Sequence, residues 1–337
     1  MSLVAGRPAE PADDASPDVV RFPGPGAPSV LLAGLLATFV RPVIALFARF
    51  PEAWWPVGWV DRAAMLLPRP RRVSRRPVAL PYCRAELLTP TATSGDSGSA
   101  ILYLHGGGFI VCGLHTHRRL AADVAYAAGR PALAIGYRQL PHHGLGEALA
   151  DAVDGFRALT ARGYTPADIS VVGDSAGGYL AVATALTVAR LGLGRPGAVV
   201  LMSPMTSVDP DLPAADGAHD PLLTGSTVRA LSHKLAAKPA PPGISLPLPR
   251  LAHEDLSDLP PTLIQVGTRE VLRDGAEELA TRIAAAGVPC TLQIWDGQFH
   301  VFQAAAPVLA PARAAVSEIG AFLRTTPTGI GDAGARR

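Results

Sequence analysis

A chain of 337 residues, 48% hydrophobic and 17% charged, is long enough for one large α/β domain with a small accessory element, and its composition excludes disorder as the overall state. Its 30 basic and 28 acidic side chains leave a net charge of +2, without the concentrated basic face that a nucleic-acid partner would want. Three cysteines, Cys83, Cys112 and Cys290, cannot all pair, and no close pair of them has metal spacing, which is the pattern of free thiols in a reducing cytoplasm.

Residues 1–28 read as a flexible leader, rich in Pro, Gly and Ala, with Glu10, Asp13, Asp14 and Asp18 where a secretory signal would carry a basic and then an apolar stretch. Residues 29–78 read as an N-terminal helical cap and its connector. Leu31, Leu32, Leu35, Leu36, Phe39 and Val40 recur at helical spacing, followed by Ile44, Leu46, Phe47 and Phe50. Trp54, Trp55 and Trp59 then place three of the four tryptophans in six residues. One or two amphipathic helices are expected, docked on something apolar. The run 30–40, ended by Arg41-Pro42, is too short for a bilayer span of about 20 residues. Residues 68–78, with Arg69, Arg71, Arg72, Arg75 and Arg76, read as a solvated connector, with contact to an anionic surface as the other reading.

Residues 79–325 read as the core. After a polar turn at 90–99, strands are expected at 101–104, 132–137, 169–172, 198–202, 263–266 and 291–295. Helices are expected at 114–128, 147–162, 176–190, 275–286 and 306–323. This alternation predicts a doubly wound, mostly parallel sheet covered by helices on both faces. An insertion at about 205–258 holds a helix at 227–237 and a proline-rich run at 239–249. Ligands in such sheets bind beyond the carboxyl ends of the strands, so this insertion and the N-terminal helices together are expected to form a cap over the site. Residues 326–337 read as a flexible tail.

Two motifs carry chemistry. Gly173-Asp174-Ser175-Ala176-Gly177-Gly178 is Gly-x-Ser-x-Gly between a strand and a helix. A serine at that sharp turn projects from the sheet at a helix N-terminus, and the N–H of Ala176 can face an oxyanion. His105-Gly106-Gly107-Gly108-Phe109 directly follows a strand. Its glycines leave N–H groups unshielded, and the loop lacks the Lys-Ser/Thr of a phosphate-binding loop.

In that order, His-Gly-Gly-Gly-Phe and Gly-Asp-Ser-Ala-Gly-Gly resemble the hormone-sensitive-lipase family of α/β-hydrolases, the bacterial family IV esterases, over roughly residues 80–325. Thr116-His117-Arg118 also matches the family's helix opening. The resemblance implies an α/β-hydrolase fold with a two-part cap and a Ser-acid-His triad. It implies Ser175 as nucleophile, Gly107, Gly108 and Ala176 as oxyanion donors, and His105, Gly106 and Asp174 in support. The base is expected in a loop after the last strand, where only His300, in His300-Val301-Phe302, stands. The acid is expected after the preceding strand. Aligning Val271-Leu272 on the family's Pro-Leu puts Glu270 there, with Asp274 as the alternative acid or as a cap of the next helix. The family often carries Tyr-Arg-Leu-Ala-Pro-Glu where this chain has Tyr137-Arg138-Gln139-Leu140-Pro141-His142, so any ion pair made by that glutamate is absent.

The expected activity is that of a serine carboxylesterase on short-chain acyl esters. The alternatives are a deacetylase or amidase acting on an acylated natural product, and a non-catalytic ligand-binding protein on the same fold. No metal and no cofactor are called for. The expected partner is a small-molecule ester, with no nucleic acid; the Trp54, Trp55 and Trp59 segment is expected to pack as a cap, with membrane or lipid contact as the other reading; a homodimer is allowed, and the expected location is cytoplasmic.

Overall fold

Strand β4 (Ala100–Leu104) shows how the sheet is built. Ala100, Leu102 and Leu104 enter one hydrophobic core and Ile101 and Tyr103 the other, because successive side chains point to opposite faces. A strand apolar on both faces belongs in a sheet covered on both faces. In the computed structural model, which describes residues 16–50, 55–91, 98–212, 220–241 and 245–326, β4 lies inside a nine-stranded sheet. Strands β5 (Ala132–Gly136), β6 (Ile169–Asp174), β7 (Ala198–Met202), β8 (Thr262–Gly267) and β9 (Cys290–Trp295) run parallel to it. With β1 (Asp18–Phe22), β2 (Val73–Ala79) and β3 (Arg84–Pro90), the order is β1-β9-β8-β7-β6-β4-β5-β3-β2. Helices α5 (Leu145–Thr160), α6 (Ala176–Arg190) and α8 (Arg273–Ala285) cover one face. Helices α4 (Leu114–Ala128) and α9 (Ala310–Thr325) cover the other. Helix α9 starts at 310 rather than 306, with proline in its first turn, where the missing N–H costs nothing.

The outer parts of the sheet depart from the sequence expectation. Residues 18–22, expected in the leader, form β1 and pair in parallel with β9, and the Phe22 ring stacks on Trp295 at 3.8 Å. The connector expected at 68–78 contains β2, antiparallel to β3, which pairs with β5. Arg75, Arg76 and Pro77 lie on the outermost strand, where charges and proline discourage pairing with another chain. Nothing in the apolar pattern marks β3, because Glu86 sits in its middle. That carboxylate is buried and satisfied by Arg118 Nε and Nη2 at 2.8 Å each and by Arg75 Nη1 at 2.8 Å.

The N-terminal helix does not stop at Arg41-Pro42. Helix α1 (Ala27–Leu35) passes through a π-helical stretch, Leu36–Val40, into α2 (Arg41–Arg49). Pro42 falls in the first turn of α2, and the wider turn before it accommodates the missing hydrogen bond. The continuous helix Ala27–Arg49 has 23 residues, and its most apolar stretch, with a mean hydropathy of 2.2, is long and apolar enough to cross a membrane and only 6% buried. It packs on α7 (Gly225–Ala236) from the internal insertion. The short helix α3 (Val57–Ala63) is tied to α4: Asp61 Oδ1 accepts the N–H groups of His115 and Thr116, both at 2.9 Å, at the α4 N-terminus. Trp54, residues 242–244 of the proline-rich run, and the tail from 327 lie outside the described residues.

Glu86 supplies a stability test. Burial alone would raise its pKa, but its bonds to Arg118 and Arg75 outweigh this and hold it below the usual glutamate value. Its contribution is therefore present above that value and lost as pH falls through the lower folded pKa. Glu86→Ala should lower urea-measured stability at neutral pH by about 3 kcal/mol, since a half-buried arginine loses its partner. The gap to the wild type should narrow on acidification; a gap that widens would rule out this pairing as its source.

Candidate active site

Ser175 occupies the turn from β6 into α6 with φ 52° and ψ −122°, a positive-φ conformation that a non-glycine residue holds only when its surroundings enforce it. Its N–H donates to the Met202 carbonyl, and its carbonyl accepts from Gly178 and Met205, all at 2.9 Å. The turn also needs its two flanking glycines against one another, because a Cβ on Gly173 would run into the Gly177 carbonyl.

Glu270 and His300 reach Ser175 from the ends of β8 and β9, which lie beyond β7 in the sheet. The Ser175 hydroxyl donates to His300 Nε2 at 2.9 Å, and His300 Nδ1–H donates to Glu270 Oε2 at 3.1 Å. The other carboxylate oxygen, Oε1, accepts the Gly267 N–H at 2.6 Å and the Ser203 hydroxyl at 2.8 Å. Ser203 also accepts the Val301 N–H at 3.0 Å, so one hydroxyl fastens the acid to the segment carrying the histidine. Burial opposes a charge on His300, but its hydrogen bond to Glu270 and the charge of that carboxylate outweigh burial and raise its pKa above the usual histidine value. Glu270 is raised as well, by burial, against the lowering pull of His300.

Asp274 is not part of this group. It is exposed in the first turn of α8, where its charge favours the helix dipole, and it makes no capping hydrogen bond there, because the N-cap position is Leu272. Two polar residues that sequence reasoning passed over support the acid. One is Ser203. The other is Asp220 of the insertion, fully buried, which accepts the N–H groups of Val271 at 3.1 Å and of Leu222 at 2.8 Å. Neither belongs to a local motif, so only the neighbouring chain segments reveal them.

The glycine loop after β4 lies beside the serine. Gly107 has φ +116°, and a Cβ there would collide with the Val111 carbonyl. Gly106 N–H donates to Asp174 Oδ2 at 3.0 Å. The same carboxylate accepts Tyr103 O–H at 2.7 Å and faces His117 Nε2 at 3.1 Å. Burial would raise the Asp174 pKa, but His117 outweighs this and lowers it. His105 is buried, stacked on Tyr137 at 4.3 Å, and Nδ1–H donates to the Gly106 carbonyl at 2.7 Å. Burial and the nearby His117 push its pKa down to about 4, which suits a neutral brace of the loop. Arg138 pairs with Asp151, Nη2 to Oδ1 at 2.8 Å.

Ser175, His300, Gly107 and Gly108 border one apolar cavity of about 710 Å³. Leu36, Ile44 and Phe47 of the N-terminal helix, Trp55, and Leu231 of α7 form much of its wall. A hydroxyl held against an imidazole that is itself held by a carboxylate, beside exposed backbone N–H groups, is an arrangement able to transfer an acyl group through a covalent intermediate.

Residues 101–304 match the protein family described as alpha/beta hydrolase fold. The chain is 37% identical over 292 residues to Esterase LipU of Mycobacterium tuberculosis, an alignment covering 85% of this chain and 98% of the relative. It is 37% identical over 260 residues to an acetyl-hydrolase of Streptomyces hygroscopicus, covering 75% and 83%. Among solved structures, an esterase from the bacterial hormone-sensitive lipase family superposes with a TM-score of 0.73 at 30% identity, over 85% of this chain and 97% of that one.

Titration of the His300 ring by NMR should distinguish the two carboxylates that the sequence offered as its partner. In Glu270→Gln the His300 pKa should fall, because burial then meets less opposition; in Asp274→Asn it should stay where it is. The reverse pattern would make Asp274 the partner. By sequence match, fold and relatives, the chain belongs to the α/β-hydrolases, as a carboxylic-ester hydrolase of the hormone-sensitive-lipase type.

Proposed function

We propose that the protein hydrolyses short-chain acyl esters with Ser175 as nucleophile, His300 as general base and acid, and Glu270 as the carboxylate that orients the imidazole. The observation carrying this reading is the pair of contacts at 2.9 Å and 3.1 Å that links the three side chains. His300 Nε2 takes the hydroxyl proton as Ser175 Oγ bonds to the ester carbonyl carbon. The negative oxygen so formed is received by the N–H groups of Gly107, Gly108 and Ala176. Collapse breaks the bond to the alcohol, which leaves with the proton from His300. Water then enters, gives a proton to the same nitrogen as its oxygen bonds to the acyl carbon, and collapse breaks the bond to Ser175 Oγ, which takes the proton back from His300 as the acid leaves.

Two observations support the substrate class. The Streptomyces relative is named for removing an acetyl group, which favours a small acyl part. The cavity lies within the range of about 300–1,000 Å³ typical of sites for drug-sized ligands, and its wall is apolar, which suits a bulky apolar alcohol.

Hydrolysis of p-nitrophenyl acetate, butyrate, octanoate and palmitate should be fastest for the two short esters, and Ser175→Ala should lower turnover by about 10⁴–10⁶. Activity that survives this substitution would show the nucleophile to be another residue. Because the base must be neutral and the His300 pKa is raised, kcat/KM should fall on acidification with a midpoint above the usual histidine value. Trp55→Ala should raise KM for menthyl acetate about tenfold, the equivalent of 1.4 kcal/mol of lost apolar contact, and leave ethyl acetate within about twofold. Equal losses on both esters would exclude the cavity wall as the alcohol site.

A further inference from the structure

The N-terminal helix has more apolar surface than the cavity uses. Leu32, Leu36, Val40, Ile44 and Phe47 line the cavity. A second stripe, Leu31, Leu35, Phe39, Val43, Leu46 and Phe50, recurs every three to four residues and is exposed to solvent, Leu31 by 66% and Phe39 by 68%. The two stripes meet at the cavity rim. Val40 and Val43 on the helix, and Val60 on α3, both line the cavity and are exposed, and Trp59, 64% exposed, adjoins Val60. A continuous exposed apolar surface of this kind marks an interaction site.

Cations border this surface. The Arg49 guanidinium lies 5.2 Å from the ring of exposed Phe50, and Arg62 lies 5.8 Å from the ring of Trp59. Against the same helix, at Ala48, opens a second cavity of about 560 Å³ lined by Arg229, His233, Lys234 and Lys238 of α7 and its end. Lys234 and Lys238 are the only two lysines in the chain. Residues 27–80 carry eight arginines against Glu52 and Asp61.

We infer that this helix docks the enzyme on an anionic lipid surface, lying along it with the apolar stripe buried among the acyl chains and the cations at the headgroups. Spanning is excluded by topology. The chain enters the helix from β1 and leaves it toward β2, and both strands belong to one sheet, whereas a single crossing would put them on opposite sides of the membrane. Docking brings the cavity rim to the lipid, so that apolar esters dissolved in the membrane enter without crossing water. This last step rests on the esterase reading of the site.

Full-length protein and the triple variant Leu35→Ser, Phe39→Ser, Leu46→Ser should be floated with vesicles of phosphatidylcholine alone and with 30% phosphatidylglycerol, roughly a cell-like anionic content. These three side chains are exposed and lie outside the cavity wall. The wild type should bind the anionic vesicles about tenfold more than neutral ones, lose this preference in high salt, and bind about tenfold more than the variant. Hydrolysis of soluble p-nitrophenyl butyrate should be the same in both. Wild type that stays unbound with both vesicle types, or a variant that binds as well as wild type, would overturn the docking. In that event, light scattering that gives a dimeric wild type and a monomeric variant would assign the face to a second copy of the chain. Vesicle binding without butyrate hydrolysis by the wild type would instead sink the esterase reading and leave the docking standing.

Discussion

The buried carboxylate of Asp174 joins the two loops on which the site depends. It is the residue before Ser175, at the end of β6, and it reaches sideways to the N–H of Gly106 in the loop that follows β4. Tyr103 and His117 complete its hydrogen bonding. A carboxylate away from water is stable only when so satisfied, and the requirement acts in both directions: the charge demands donors, and the donors it finds are those that hold the glycine loop against the serine turn. Two adjacent parallel strands, β4 and β6, thus deliver their two loops as one rigid unit.

The acid and the base follow the same logic along the sheet. β7, β8 and β9 are successive neighbours of β6, and their carboxyl ends present Ser203, Glu270 and His300 in turn. Ser203, with φ 48°, is another strained residue directly after a strand, and it bonds to both the acid and the loop of the base. The site therefore rests on loops at five strand ends, each anchored to the next by a hydrogen bond. The apolar cap above it is built differently, from helices that pack by side chains, and the long N-terminal helix shares its apolar surface between the cavity and the outside.

Two buried carboxylates, one in the sheet and one on its helices, are met by arginines: Glu86 by Arg118 and Arg75, and Asp151 by Arg138. In the Arg138 pair, Asp151 on α5 also accepts the Arg138 backbone N–H at 2.8 Å, so one carboxylate holds both the side chain and the backbone of the segment after β5.

The sequence by itself determined the features whose causes are local. The Gly-x-Ser-x-Gly turn, the three-glycine loop, the apolar strands of the central sheet and the amphipathic helices between them all depend on residues within a few positions of one another. His300 was legible too, because only one histidine follows the last strand in a loop. Tertiary structure alone decided between Glu270 and Asp274 as the hydrogen-bond partner of that histidine: the two are four residues apart, Glu270 before α8 and bonded to the ring, Asp274 in its first turn and exposed. It also decided that residues 18–22 and 73–79 become strands, since an edge strand forms on a neighbour's open hydrogen bonds and needs little hydrophobicity of its own. The helix through Pro42 is of the same kind. Proline in isolation favours a break, and the π-helical turn before it together with packing on α7 carries the helix on.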